Sequence, residues 1–210
     1  MASIEVDYKK IYDQTGSIGA PNTILGQADA LNKQIINAYN NMTNMHAVWF
    51  GIRYNELATA FNNMIPEITT VLNYVVRDLP HNLKLIANNY SQADRGMNCG
   101  AADVVSPKTI PEIPTPADVG MRYQAEQVTE VKTMIENCFN NAVTAMQNIE
   151  SLFNAVYWES EAAASFKSGL ASNRSTIVNS FETIKQTFAT KMAEAAADIQ
   201  KAETSSNVNG

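Results

Sequence analysis

The sequence predicts an all-α protein built of two helical hairpins, and three observations predict it. Apolar residues recur at steps of three and four along almost the whole chain, the rhythm of helices buried on one side. The rhythm stops once, in a proline-rich stretch near the middle. The pattern before that stretch repeats after it, at the offset of 109 residues that separates Trp49 from Trp158. By that offset Leu57, Phe61, Ile68, Leu72, Val75, Leu79, Leu83, Ile86 and Tyr90 fall on Phe166, Leu170, Ile177, Phe181, Ile184, Phe188, Met192, Ala195 and Ile199. Ile65 against Arg174 is a mismatch. A tandem duplication of a helical hairpin accounts for the match.

The first helix follows a seam of Ile24, Ala28, Leu31, Ile35, Ala38, Met42, Met45 and Trp49, with Asn22 after Pro21 as its expected N-cap. Trp49-Phe50-Gly51 turns the chain, the glycine supplying the positive φ that ends a helix. The second helix carries the seam from Leu57 to Tyr90 and is expected to kink at Pro66 and Pro80, where backbone bonds are lost. Gly16, Gly19 and Pro21 interrupt its predecessor, so the first hairpin, residues 1–94, is expected to be the less regular one. Residues 95–115 form an extended linker, with Pro107, Pro111, Pro114 and Pro116 crowded behind Gly96 and Gly100. Thr115-Pro116-Ala117-Asp118 reads as a cap, a proline at the first helical position and an acid, which places the second hairpin at 116–203. Its first seam is Val128, Val131, Ile135, Cys138, Ala142, Ala145, Ile149, Leu152 and Val156, and its second runs from Phe166 to Ile199. Residues 204–210 are expected to be a disordered polar tail.

Composition removes several function classes. A charged fraction of 17% beside an apolar fraction of 45% excludes disorder through self-repulsion. A net charge of −6, with 15 basic residues spread without a run, leaves no face for nucleic acid. Cys99 and Cys138 lack a CxxC spacing and are read as two free thiols in preference to one bridge. The first ten residues mix acids and lysines where a signal peptide needs an apolar stretch, and no window reaches the roughly 18 apolar residues of a membrane span. His46 and His81 sit in different helices without a flanking motif, and no metalloprotease, nucleophile-elbow or phosphate-loop signature occurs. A non-enzyme without metal or cofactor is expected. Met42, Met45, Met146 and Met192 read as adaptable core filler rather than as a binding groove.

Two local features remain. A tryptophan and a glycine between helices are explained by packing alone. Tyr90-Ser91-Gln92-Ala93-Asp94, however, places Tyr90 and Asp94 one turn apart on one face. An acid at a helix C-terminus opposes the macrodipole, so Asp94 does not serve helix stability.

Trp49-x-Gly51 followed by Tyr90-x-x-x-Asp94 resembles the WXG family of ESAT-like helical hairpins exported by type VII secretion systems. Each half has about the length of one member, so the resemblance covers both halves outside the linker and tail. It implies antiparallel pairing of hairpins into a four-helix bundle, here within one chain or, alternatively, in a swapped homodimer. It implies an export signal carried by Trp49, Gly51, Tyr90 and Asp94, in which the tyrosine motif of one partner acts with a tryptophan turn. The implied partners are the type VII ATPase machinery and a co-secreted effector, with leaderless secretion from a Gram-positive or related bacterium.

The second half departs from the pattern. Trp158-Glu159-Ser160 has serine for glycine, and Ile199 replaces tyrosine four residues before Glu203. Trp158, Ser160, Ile199 and Glu203 thus form a degenerate second motif, and this half reads as a built-in partner. Two other readings are an intracellular adaptor or chaperone and a membrane-perturbing effector; the second lacks the Lys/Arg-rich polar face such helices favour. In the antiparallel arrangement the tryptophans lie at opposite ends, each against helix termini of the other half. The twenty linker residues 95–114 reach about 62 Å at about 3.1 Å per residue, matching a helix of about 40 residues and about 60 Å.

Overall fold

Thr23, not Asn22, starts the first long helix: its Oγ1 accepts from Gly26 N at 3.0 Å. The computed structural model describes residues 6–16, 20–156 and 158–206; the expected break at Gly19 lies outside them. The elements are α1 (Tyr8–Asp13), α2 (Ile24–Met45), β1 (Trp49–Phe50), α3 (Ile52–Leu72), a π-helical stretch (Asn73–Asp78), α4 (Leu79–Arg95), β2 (Arg122–Tyr123), α5 (Ala125–Ala155) and α6 (Glu161–Ser206). The protein is all-α, apart from a two-residue antiparallel ribbon that pairs Trp49 with Tyr123 and Phe50 with Arg122. No helix among the described residues is long and apolar enough to cross a membrane.

Buried residues follow the helical seams. The offset pairs Phe61/Leu170, Ile68/Ile177, Leu72/Phe181, Val75/Ile184 and Leu79/Phe188 are buried in both halves. In α5 the inward line is Ile135, Phe139, Ala142, Met146, Ile149 and Phe153, while Cys138, Leu152 and Val156 of the expected seam are half-buried. Both lines keep the three-and-four spacing; the line with the larger aromatics faces inward, as area burial favours.

α2 packs along α5, and α3 along α6. Gln27 meets Asn148 and Asn41 meets Cys138, so α2 and α5 run antiparallel. Arg53 meets Asp198, and Tyr74 of the following π-helical stretch lies over Gly169, so the helical run that α3 begins is antiparallel to α6. The layers join through aromatic pairs: Phe61 stands edge-on to Tyr39 at 5.5 Å and to Phe188 at 5.9 Å, and Phe139 stacks on Phe181 at 5.2 Å. Such pairs contribute about 0.5–1.5 kcal/mol beyond their buried area. Burial and the neighbouring Asp118 push the Tyr54 hydroxyl up to about 12; it donates to Met42 O at 3.3 Å.

The first half is indeed the less regular. Pro66 lies inside α3, and Pro80 follows the π-helical stretch at the start of α4. A π turn widens the helix and accommodates the bond that a proline cannot make. α6, by contrast, is unbroken for 46 residues, about 69 Å. It continues to Ser206, so residues 204–206 are helical rather than a disordered tail. Residues 207–210 lie outside the described region.

The helix expected at Pro116 begins instead at Ala125, and Thr115–Asp118 forms no cap. Tertiary partners take these residues. Asn55 Nδ2 donates to Pro116 O at 2.7 Å, and His46 Nε2 sits 2.9 Å from Asp118 Oδ2. The same kind of contact fastens the whole connection. Leaving α4 at Gly96, in the left-handed region at φ 70°, the chain runs back beside α4 and α3. Asn88 binds Cys99 N and Gly100 O at 2.9 Å each, and His81 Nδ1 lies 3.0 Å from Ala102 O. Asn62 binds both Ile113 N and Ile113 O, and Ile110 and Ile113 are buried. A primary amide carries both a donor and an acceptor, so asparagine can pair with an extended backbone as another peptide would.

Where α3 meets the far end of α6, five charges interlock. Arg53 contacts Asp198 at 2.8 Å, Glu194 at 3.0 Å and Glu56 at 3.1 Å, while Lys191 contacts Glu56 at 2.8 Å and Glu194 at 2.9 Å. The hydrogen bond from Lys191, then that from Arg53, holds Glu56 below the usual glutamate range; the bond from Arg53 does the same for Asp198. Their partners Arg53 and Lys191 are raised by the same bonds. A depressed carboxylate stabilises the fold above its unfolded value, and that contribution disappears as pH falls through the folded one. The network therefore acts in full above about pH 4.5 and fades below it. Arg53→Gln with Lys191→Gln is expected to lower the unfolding midpoint at pH 6 and to cost much less at pH 3. An equal loss at both pH values would show that these ion pairs do not stabilise the fold.

The two tryptophan ends as the candidate functional site

Trp49 is 1% exposed and its indole stands edge-on to Tyr123 at 5.3 Å. Burial raises the Tyr123 hydroxyl above its ordinary range. Gly51 follows with φ 113°, a conformation that a side chain resists, and it begins α3 rather than ending α2. An added Cβ would come within 3.3 Å of Gly120 O, so the glycine also lets the 120–123 strand approach. Ala195 and Ile199 of α6 complete a cavity of about 20 Å³ beside Trp49 and Gly51. That volume holds about one water, far below the 300 Å³ or more of a small-molecule site. Ile52, Val119 and Met121 are exposed around it.

Trp158 occupies the equivalent turn after α5. Six per cent of it is exposed, its ring lies 6.3 Å from Phe153 and 5.9 Å from Phe166, and its backbone forms an isolated bridge with Val6. The indole Nε1 is buried without a hydrogen-bond partner among the described residues. Ser160, in the place of Gly51, accepts from Ala163 N at 3.1 Å and so caps the start of α6. The serine is explained locally: its hydroxyl satisfies an orphan helix donor.

The two ends are related. Trp49 bridges Tyr123, two residues before α5, and Trp158 bridges Val6, two residues before α1. Each tryptophan thus meets the segment that leads into the other half's first helix.

The four residues Trp49, Gly51, Tyr90 and Asp94 are not brought together. Trp49 and Gly51 sit at the start of the continuous helical run from Ile52 to Arg95, and Tyr90 and Asp94 at its finish. Tyr90 is half-buried and Asp94 exposed. The Asp94 carboxylate accepts from Tyr8 Oη at 2.5 Å, a bond that is the main cause raising the tyrosine above its ordinary range. Since Val6 bridges Trp158, the Tyr90–Asp94 end and the Trp158 turn share one end of the molecule. At the other, Trp49 and Gly51 meet half-buried Ile199, with Glu203 exposed one turn beyond. Each end therefore joins a tryptophan turn of one half to the last helix terminus of the other.

Sequence reasoning missed the residues that join these pieces. Val6, Tyr8 and Tyr123 carry no motif of their own. The asparagines had a periodic signal, Asn55 and Asn62 lying seven apart as His81 and Asn88 do, which marks one helix face. His46 and His81 hold the connection, and Cys99 and Cys138 are free thiols, the latter raised by burial. No group of His, Cys, Asp or Glu among the described residues is arranged to hold a metal ion.

No family model, no curated protein and no solved structure matches the chain.

Proposed function

We propose that the chain is a fused pair of WXG-like hairpins, closed on itself as an antiparallel four-helix bundle, and that a type VII secretion system exports it as a substrate or co-secreted partner. One observation carries the reading: each tryptophan turn seats on a segment of the opposite half, as two paired hairpins require. The antiparallel courses of α2 with α5 and of α3 with α6 support it further. In this reading the recognised end is the one that holds Trp158, Tyr90 and Asp94, because it alone combines a tryptophan turn with a tyrosine and an acid at the other half's helix terminus. The Trp49 end, with Ile199 for tyrosine, serves the pairing.

The test is expression in a bacterium with a type VII system, with its ATPase gene intact or deleted. The protein is expected in the medium of the intact strain and inside the cells of the deletion strain. Equal amounts in both media would overturn export by this route. Retention in both would favour the intracellular adaptor.

A further inference from the structure

α1 is six residues long, well short of the length at which a helix persists alone in water. Neighbours hold it. Tyr8 Oη donates to Asp94, the Arg95 guanidinium lies 5.3 Å over the Tyr8 ring, and Lys10 Nζ donates to Ala155 O at 2.8 Å. Tyr12 Oη donates to Ala101 O at 2.9 Å, and Ile11 is the buried apolar anchor. The anchor is small, and the Tyr8–Asp94 contact is exposed, so water and any other donor compete for it directly. Among the described residues the second half has no counterpart: α5 runs unbroken from Ala125, while the first half separates α1 from α2 with a stretch containing Gly16 and Pro21. Among the described residues a separately held helix thus occurs only at the end that carries Tyr90 and Asp94.

We propose that α1 is a latch over this end, and that a partner taking the Asp94 carboxylate must first displace Tyr8. The latch rests on the export reading of the same end. Closed, it fills the Asp94 carboxylate's position for a donor and ties the Trp158 turn to the end of α4. Open, it frees the acid and the face of α4 beneath Ile11 together, because Val6, Tyr8, Lys10 and Ile11 leave as one unit.

The experiment compares the wild-type chain with the double variant Tyr8→Phe/Lys10→Ala, which removes the exposed Tyr8 hydroxyl and the exposed Lys10 ammonium and keeps the half-buried Tyr8 ring. Thermal melting checks that the body of the fold is retained. Hydrogen exchange is read at the amides of α1 and α2, and secretion is read with the ATPase present and absent. The latch predicts α1 amides that exchange at least about tenfold faster with α2 unchanged, together with a larger secreted fraction. Unchanged α1 exchange, or faster exchange with secretion equal to or below wild type, overturns it. Secretion of the wild type that ignores the ATPase instead overturns the export reading, and the wild-type arm alone reports that failure.

Discussion

Replacing Trp49 by alanine is expected to lower the unfolding free energy by about 3–5 kcal/mol, the range for removing a fully buried large aromatic side chain. Trp49 is among the largest side chains with under 2% exposure, and its neighbours come from three places in the chain: β2, α3 and the end of α6. A rigid helix and a paired strand cannot collapse into the space, so a cavity remains. Against a typical total stability of about 5–15 kcal/mol, that loss is a large share. Urea unfolding at neutral pH measures it, and hydrogen exchange at Tyr123 is expected to rise with it as the ribbon loosens. Trp158→Ala is expected to cost less. Its buried Nε1 finds no hydrogen-bond partner among the described residues, and removing such a donor returns part of the desolvation penalty of about 1–3 kcal/mol. A loss under about 1 kcal/mol at Trp49 would contradict the packing described here and mark the indole as a recognition surface instead.

Tyr90→Ala and Asp94→Ala are expected to keep the protein folded and hold it inside the cell. Both positions lie at the finish of α4, one half-buried and one exposed, where substitutions shift stability little. Removing an acid from a helix C-terminus also relieves its unfavourable interaction with the macrodipole. Lost export therefore reports lost recognition, not lost structure, provided that melting curves overlay. Ile199→Ala and Glu203→Ala at the opposite end are the matched controls, and export is expected to survive them. Export of the Tyr90 and Asp94 variants at the wild-type level would remove this end from the signal. Loss with the control variants alone would move recognition to the Trp49 end.

The helices were legible because their seams recur over many turns and a register error would bury charge. Phe61 and Phe188, or Ile68 and Ile177, could be assigned inward from spacing alone. The five offset pairs from Phe61/Leu170 to Leu79/Phe188 could be matched for the same reason. What local rules missed were places where a distant partner outcompetes them. Thr115-Pro116-Ala117-Asp118 has the composition of a helix start, yet Asn55 takes the Pro116 carbonyl and His46 the Asp118 carboxylate. Gly120, at φ 114°, then turns the chain into β2 before α5 can begin. The ribbon itself was invisible, since two residues are too few for an alternating pattern to register. At the candidate site the residues could be read from the sequence but their grouping could not. Trp49 and Tyr90 belong to opposite ends, because one long helical run separates them and only the antiparallel return of α5 and α6 decides what each end contains.

In the proposed reading the two halves supply each other's partner within a single chain, and light scattering at micromolar concentration measures whether they do. A mass near 23.0 kDa is predicted, because the connection fastened by Asn88, Asn62 and Asn55 already returns the chain to the Trp49 end, where α5 starts. A stable species of twice that mass, persisting on dilution, would contradict closure within one chain and assign the pairing to a swapped homodimer.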